Sequence, residues 1–93
     1  MTVINSGNAT LAAAGTKQQL ATSTPCSKVI ITTGANNAGN IAIGGANVVG
    51  ASSGTVGAYI LPLGSIELDI DDLSKIWFDG NVTGDTVSYT YLA

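Results

Sequence analysis

The chain contains no histidine and no arginine. Histidine is the usual base beside a nucleophilic Ser or Cys, so no catalytic triad can be assembled and the chain is read as non-enzymatic. Binding to nucleic acid needs clustered cations, and Lys17, Lys28 and Lys75 are the only ones here, so nucleic acid is not an expected partner. The single cysteine, Cys26, excludes an internal disulfide. It follows Pro25 ahead of an apolar run and reads as a small buried or half-buried residue. No apolar run approaches the ~18 residues that cross a bilayer, and "MTVINSGNAT" lacks the basic start and apolar core of a secretory signal. No membrane partner is expected. Charge of either sign is scarce, at 10% of residues and a net −3, while mean hydropathy is positive at +0.37. A lone protomer of that composition exposes much uncharged surface, which favours self-association or docking on a larger assembly.

What is abundant points to strands and turns. Gly, Thr, Ser and Asn supply 38 of the 93 residues, and Val, Ile, Leu and Phe supply 24. That apolar content is enough for one core, in a single β domain spanning 1–93 with residues 1–8 as a candidate N-terminal arm. Helical signals are nearly absent, since Gly15 interrupts "TLAAAGTKQQLA", which reads as strand, turn and strand. "KVIITT" (28–33) is a continuous apolar run of the kind covered on both faces. "NIAIGG" alternates, "GASSGTVG" (50–57) reads as a flexible loop and "AYIL" resumes the sheet. "LPLGS" makes a turn into "SIELDI", then "KIWF", the turn "DGNVTG" and "DTVSYTYL" complete the set. About eight short strands joined by two to eight residues, with no crossover helices, predict an all-β antiparallel sandwich or jelly roll.

The densest chemistry lies in "SIELDIDDLSKIWFDG" (65–80), with Glu67, Asp69, Asp71 and Asp72 crowded together. Successive strand side chains point to opposite faces, so Ile66, Leu68 and Ile70 turn inward and Glu67, Asp69 and Asp71 outward. A solvated strand face that discourages edge pairing accounts for every carboxylate. A weak surface divalent-ion site is the sharper alternative. The run lacks the Gly and Glu of an EF-hand calcium loop, and no metal or other cofactor is assigned. "GANNAGNI" has the glycine spacing of a phosphate loop but carries Asn40 and Ile41 where Lys and Ser/Thr are needed, so it reads as a turn.

Aromatic residues are the remaining candidates. If Ile76 and Phe78 point inward, Trp77 points outward, where a large ring covers a neighbour, a subunit or host surface, or a sugar. Tyr59 and Tyr91 are its candidate companions for the sugar reading.

From Lys28 to Leu92 the chain resembles the small β-rich virion proteins of tailed bacteriophages. These are capsid decoration (cement) proteins and related head-fibre or tail attachment modules. The resemblance is carried by "NIAIGGANVV", a Ser/Gly loop, "ILPLGSIELDIDDLSKIWFDG" and "TGDTVSYTYL". It implies a homotrimer on the capsid surface of the virion, made in the host cytoplasm, that binds the major capsid protein and bridges capsomers. Trp77, Tyr59, Val3 and Ile4 are then the candidate partner contacts. A tail, fibre or baseplate module is the nearest alternative, and a carbohydrate-binding module a more distant one.

Overall fold

The computed structural model describes residues 3–50 and 56–93. Eight strands occur in chain order: β1 (Ile4–Thr10), β2 (Gln18–Gln19), β3 (Lys28–Thr33), β4 (Ile41–Gly44), β5 (Ala58–Ile60), β6 (Ser65–Leu68), β7 (Trp77–Gly80) and β8 (Thr86–Leu92). A 3-10 turn, Leu73–Lys75, sits between β6 and β7. The strands form two four-stranded antiparallel sheets, ordered β1-β8-β3-β6 and β2-β7-β4-β5.

That order has a simple origin. Strand 1 pairs with 8, 2 with 7, 3 with 6 and 4 with 5, which is one long antiparallel ribbon reversing at the β4–β5 connection. Rolling the ribbon drops successive pairs into alternate sheets and adds the β3·β8 and β4·β7 contacts. The result is an eight-stranded jelly roll, the more specific of the two expected architectures.

Period two decides what goes inside. Val87 is buried and Tyr89 and Tyr91 are half-buried on the inner face of β8, while Ser88 and Thr90 are exposed. Val29, Ile31 and Val87 from the first sheet meet Ile41, Ile43 and Phe78 from the second, and Leu11, Leu20, Leu73 and Ile76 from the connections close the core. Each such side chain contributes about 1.5–3 kcal/mol when removed from water. Gly7, opposite Tyr89, leaves room for that ring: a Cβ there would lie 2.6 Å from it.

Several sequence expectations are corrected. β3 is covered on one face only, because a two-layer sandwich has no third layer: Val29, Ile31 and Thr33 are buried, whereas Ile30 is 45% exposed. The connection 45–57 is longer than eight residues. Residues 51–55 of the expected flexible loop lie outside the described residues. Asp79 and Gly80, assigned to a turn, belong to β7. Within the segment set apart as an arm, Ile4–Asn8 is paired with Ser88–Leu92 as part of β1.

Candidate interaction surfaces

The acidic run is fully occupied by local partners. Lys28 Nζ lies 3.6 Å from Glu67 and 3.8 Å from Asp69, and Lys75 Nζ lies 2.8 Å from Asp71. The last contact holds the Asp71 carboxyl below its usual range and raises the Lys75 ammonium. Asp72 caps the 3-10 turn. Its Oδ1 accepts the N–H groups of Thr24 and Ser74 at 2.9 Å each, and its Oδ2 accepts the Ser23 hydroxyl at 3.1 Å. These bonds favour the ionised form and pull its pKa down to about 2. The carboxylate thereby clamps the β2–β3 connection onto the β6–β7 connection. Cys26 lies in the same clamp, its thiol 3.1 Å from the Ile70 carbonyl. Burial, then the charges of Asp72 and Asp71, push that thiol up. Among the described residues no group of three or more His, Cys, Asp or Glu side chains is arranged to hold a metal ion.

Two further carboxylates, not singled out by sequence reasoning, organise the loops. Asp79 lies on the outer face of the second sheet yet is 2% exposed. Its Oδ1 accepts the N–H of Gly80 at 2.8 Å and of Gly15 at 3.1 Å, and its Oδ2 accepts that of Gly50 at 3.0 Å. The β1–β2 and β4–β5 connections are both drawn over the sheet in this way. An open cleft of about 330 Å³ remains between them, lined by Gly15, Thr16, Lys17, Val48, Val49 and Asp79. Asp85 treats the β3–β4 turn alike, accepting the N–H groups of Ala38 at 3.0 Å and Gly39 at 2.9 Å. The amide groups of "GANNAGNI" that resembled a phosphate cradle are thus filled by the chain's own carboxylate.

The candidate contact residues fall in two places. Directly opposite residues in an antiparallel ladder share a face. Gln19, Trp77 and Gly44 therefore form one outward row on the second sheet, and Tyr59, Ala42 and Asp79 another. Trp77 does point outward, opposite to Ile76 and Phe78, and is half-buried. Trp77 and Tyr59 share a sheet face but are separated by β4, with Val48 from the overlying loop packed near Gly44. Tyr91 belongs to the inner face of the first sheet, so it does not join Trp77 in one platform. Val3 and Ile4 lie at the other location, the start of β1, 46% and 68% exposed.

Comparison with known protein families, with characterised proteins and with solved structures finds no match.

Proposed function

We propose that the chain is a non-enzymatic structural protein of a phage virion, a capsid decoration protein that seats on the head as a homotrimer and bridges capsomers. The observation that carries the reading is the surface of the jelly roll. From Val29 to Ile66 the chain has no charged residue. That span, with the start of β1, carries every large hydrophobic side chain exposed among the described residues, including Leu61 and Leu63 at 64% and 70%. The carboxylates, by contrast, are consumed in ion pairs, a cap and loop anchors. A surface of this kind is suited to wide, uncharged contact and poor in groups that do chemistry. The motif resemblance from Lys28 to Leu92 supports reading that assembly as a phage head.

The test is binding to expanded, undecorated heads, followed by sedimentation and labelling of intact virions. Saturable binding and label on the head are expected. Label confined to the tail supports the tail or baseplate reading instead, and absence from virions overturns both. Retention on a glycan surface that is lost in Trp77→Ala supports a carbohydrate-binding module.

A further inference from the structure

Each sheet has one edge protected against pairing and one left bare. In the first sheet, edge strand β6 is four residues long and carries Glu67, with Asp69 just beyond, whereas edge strand β1 is seven residues long. "INSGNAT" contains no charge and no proline. In the second sheet both edge strands are short: β2 has two residues, both glutamine, and β5 has three, Ala-Tyr-Ile, with uncharged neighbours on both sides and Pro62 two residues beyond its end. Charge, shortness and proline are the usual guards on a strand edge, and β1 and β5 lack charge and proline.

Backbone bonds show what β1 offers. Val3 and Ala93 exchange both N–H···O bonds, at 3.0 and 2.8 Å, and the Leu11 N–H reaches the Asp85 carbonyl at 2.8 Å. Ladder bonds alternate along an antiparallel strand, so the odd residues from 3 to 11 face β8. The N–H and C=O groups of Ile4, Ser6 and Asn8 therefore point away from the sheet. None of them meets a side-chain partner among the described residues, while the Thr10 carbonyl accepts the Gln18 amide at 3.0 Å.

The two bare edges lie on opposite sides of the sandwich. β1 and β6 are the two edges of one sheet, β2 and β5 those of the other. Gln18 ties β2 to β1, and the Leu61–Gly64 turn ties β5 to β6. Among the described residues, seven of the eight exposed large hydrophobic side chains flank these bare edges: Val3 and Ile4 at β1, and Val49, Val56, Tyr59, Leu61 and Leu63 at or beside β5. One protomer thus carries two different uncharged, apolar-flanked strand edges facing opposite ways.

We propose that β1 of one protomer pairs with β5 of a second copy of this chain, head to tail, so that a single interface type consumes both edges. A second copy is the occupant because it brings an edge of matching chemistry. Self-pairing of either edge alone would leave the other bare, whereas the heterologous contact uses both, and it closes into a threefold ring when successive copies turn by a third of a revolution. The inference rests on the homotrimer in the proposed function and supplies its interface.

Ser6→Pro tests it. Proline is tolerated on an edge strand where the N–H faces outward, and the Ser6 N–H is one of those groups. Light scattering on the full chain is expected to give a trimer for wild type and a folded monomer for Ser6→Pro, with unchanged circular dichroism. Hydrogen exchange on wild type gives a second readout that needs no variant. The Ile4, Ser6 and Asn8 amides should be protected at high concentration and exchange freely on dilution. In a Cys26→Ser background, a short bismaleimide should join Ser6→Cys chains to Tyr59→Cys chains in a mixture, and neither to itself. A trimer that persists in Ser6→Pro, unprotected even-numbered amides, or self-linking of Ser6→Cys overturns the β1–β5 interface. Those outcomes leave the capsid reading standing, which falls only if wild type does not bind heads.

Discussion

Asp79 Oδ2 accepts the backbone N–H of Gly50 at 3.0 Å, and a Cβ at Gly50 would sit 2.6 Å from the Asp79 carbonyl carbon. The glycine and the carboxylate are therefore fitted to each other: the loop comes close enough to bond only because residue 50 has no side chain. Asp79→Ala leaves buried N–H groups of Gly50 and Gly80 without acceptors. At about 1–3 kcal/mol for each unsatisfied group, the expected loss is about 3 kcal/mol. A domain of this size then melts roughly 12 °C or more lower. Gly50→Ala should lose about 1–3 kcal/mol through overpacking while Asp79 remains intact. Thermal and urea denaturation of both variants measure this, and wild-type stability in Asp79→Ala would show that the buried carboxylate anchors nothing.

Asp72 makes the fold acid-sensitive in a defined window. Its carboxyl is held at about 2, well below its ordinary 3.8, by the Thr24 and Ser74 N–H groups and then by the Ser74 and Ser23 side chains. The folded value is the lower one, so the folded state binds fewer protons there than the unfolded chain. The contribution is therefore complete above the unfolded value, lost as pH falls toward 2, and absent below it. Asp71, lowered by Lys75, acts in the same direction over the same acidic range. Urea midpoints measured from pH 5 to pH 2 should fall steadily for wild type and more gently for Asp72→Asn, the two curves converging near pH 2. Parallel curves across that range would refute the clamp.

How far the sequence disclosed this structure depends on whether the interaction was local. Period two in "SIELDID" placed the carboxylates outward and the aliphatic side chains inward, because alternation is a property of the strand itself. Trp77 on the face opposite Ile76 and Phe78 was legible for the same reason. The covered-both-faces reading of "KVIITT" failed because a continuous apolar run carries no period, and the number of layers is a tertiary fact. Asp79 and Asp85 escaped notice since their partners lie far along the chain, at Gly15, Gly50, Ala38 and Gly39. The only local signals were the Asp79-Gly80 and Gly84-Asp85 pairs, which any turn shares. The bare β1 edge could not be seen before the pairing of 1 with 8 was known.

Cys26 should behave as an inert thiol. Its pKa is raised by burial and by the negative charges of Asp72 and Asp71, and its S–H points at the Ile70 carbonyl. Only the thiolate attacks an electrophile, so raising the pKa lowers reactivity at neutral pH. A chromogenic disulfide reagent at pH 7.5 is expected to label native protein more slowly than protein unfolded in urea. Asp72→Asn removes one of the nearby charges and should speed native labelling at pH 7.5, with circular dichroism showing that the variant is folded. Equal rates in the native and unfolded forms would place Cys26 outside the clamp.

Leu63 occupies a backbone conformation that suits glycine or asparagine. In Leu61-Pro62-Leu63-Gly64 the Gly64 N–H returns to the Leu61 carbonyl at 2.8 Å, and Leu63 has φ 66°. A turn with Pro second and positive φ third is type II, whose third position favours Gly or Asn. A leucine there loses about 1–2 kcal/mol to the contact between Cβ and carbonyl. The side chain recovers little of this within the protomer, being 70% exposed. Retaining a strained apolar tip is understandable if the tip is buried when copies of the chain meet. Leu63→Asn should therefore leave the isolated protomer at least as stable, by about 0–1 kcal/mol in dilute urea denaturation. The same substitution should shift the concentration dependence of assembly, followed by light scattering, toward the monomer. A variant that is less stable when monomeric would mean that Leu63 packs within its own chain. Unchanged assembly would remove the tip from the interface.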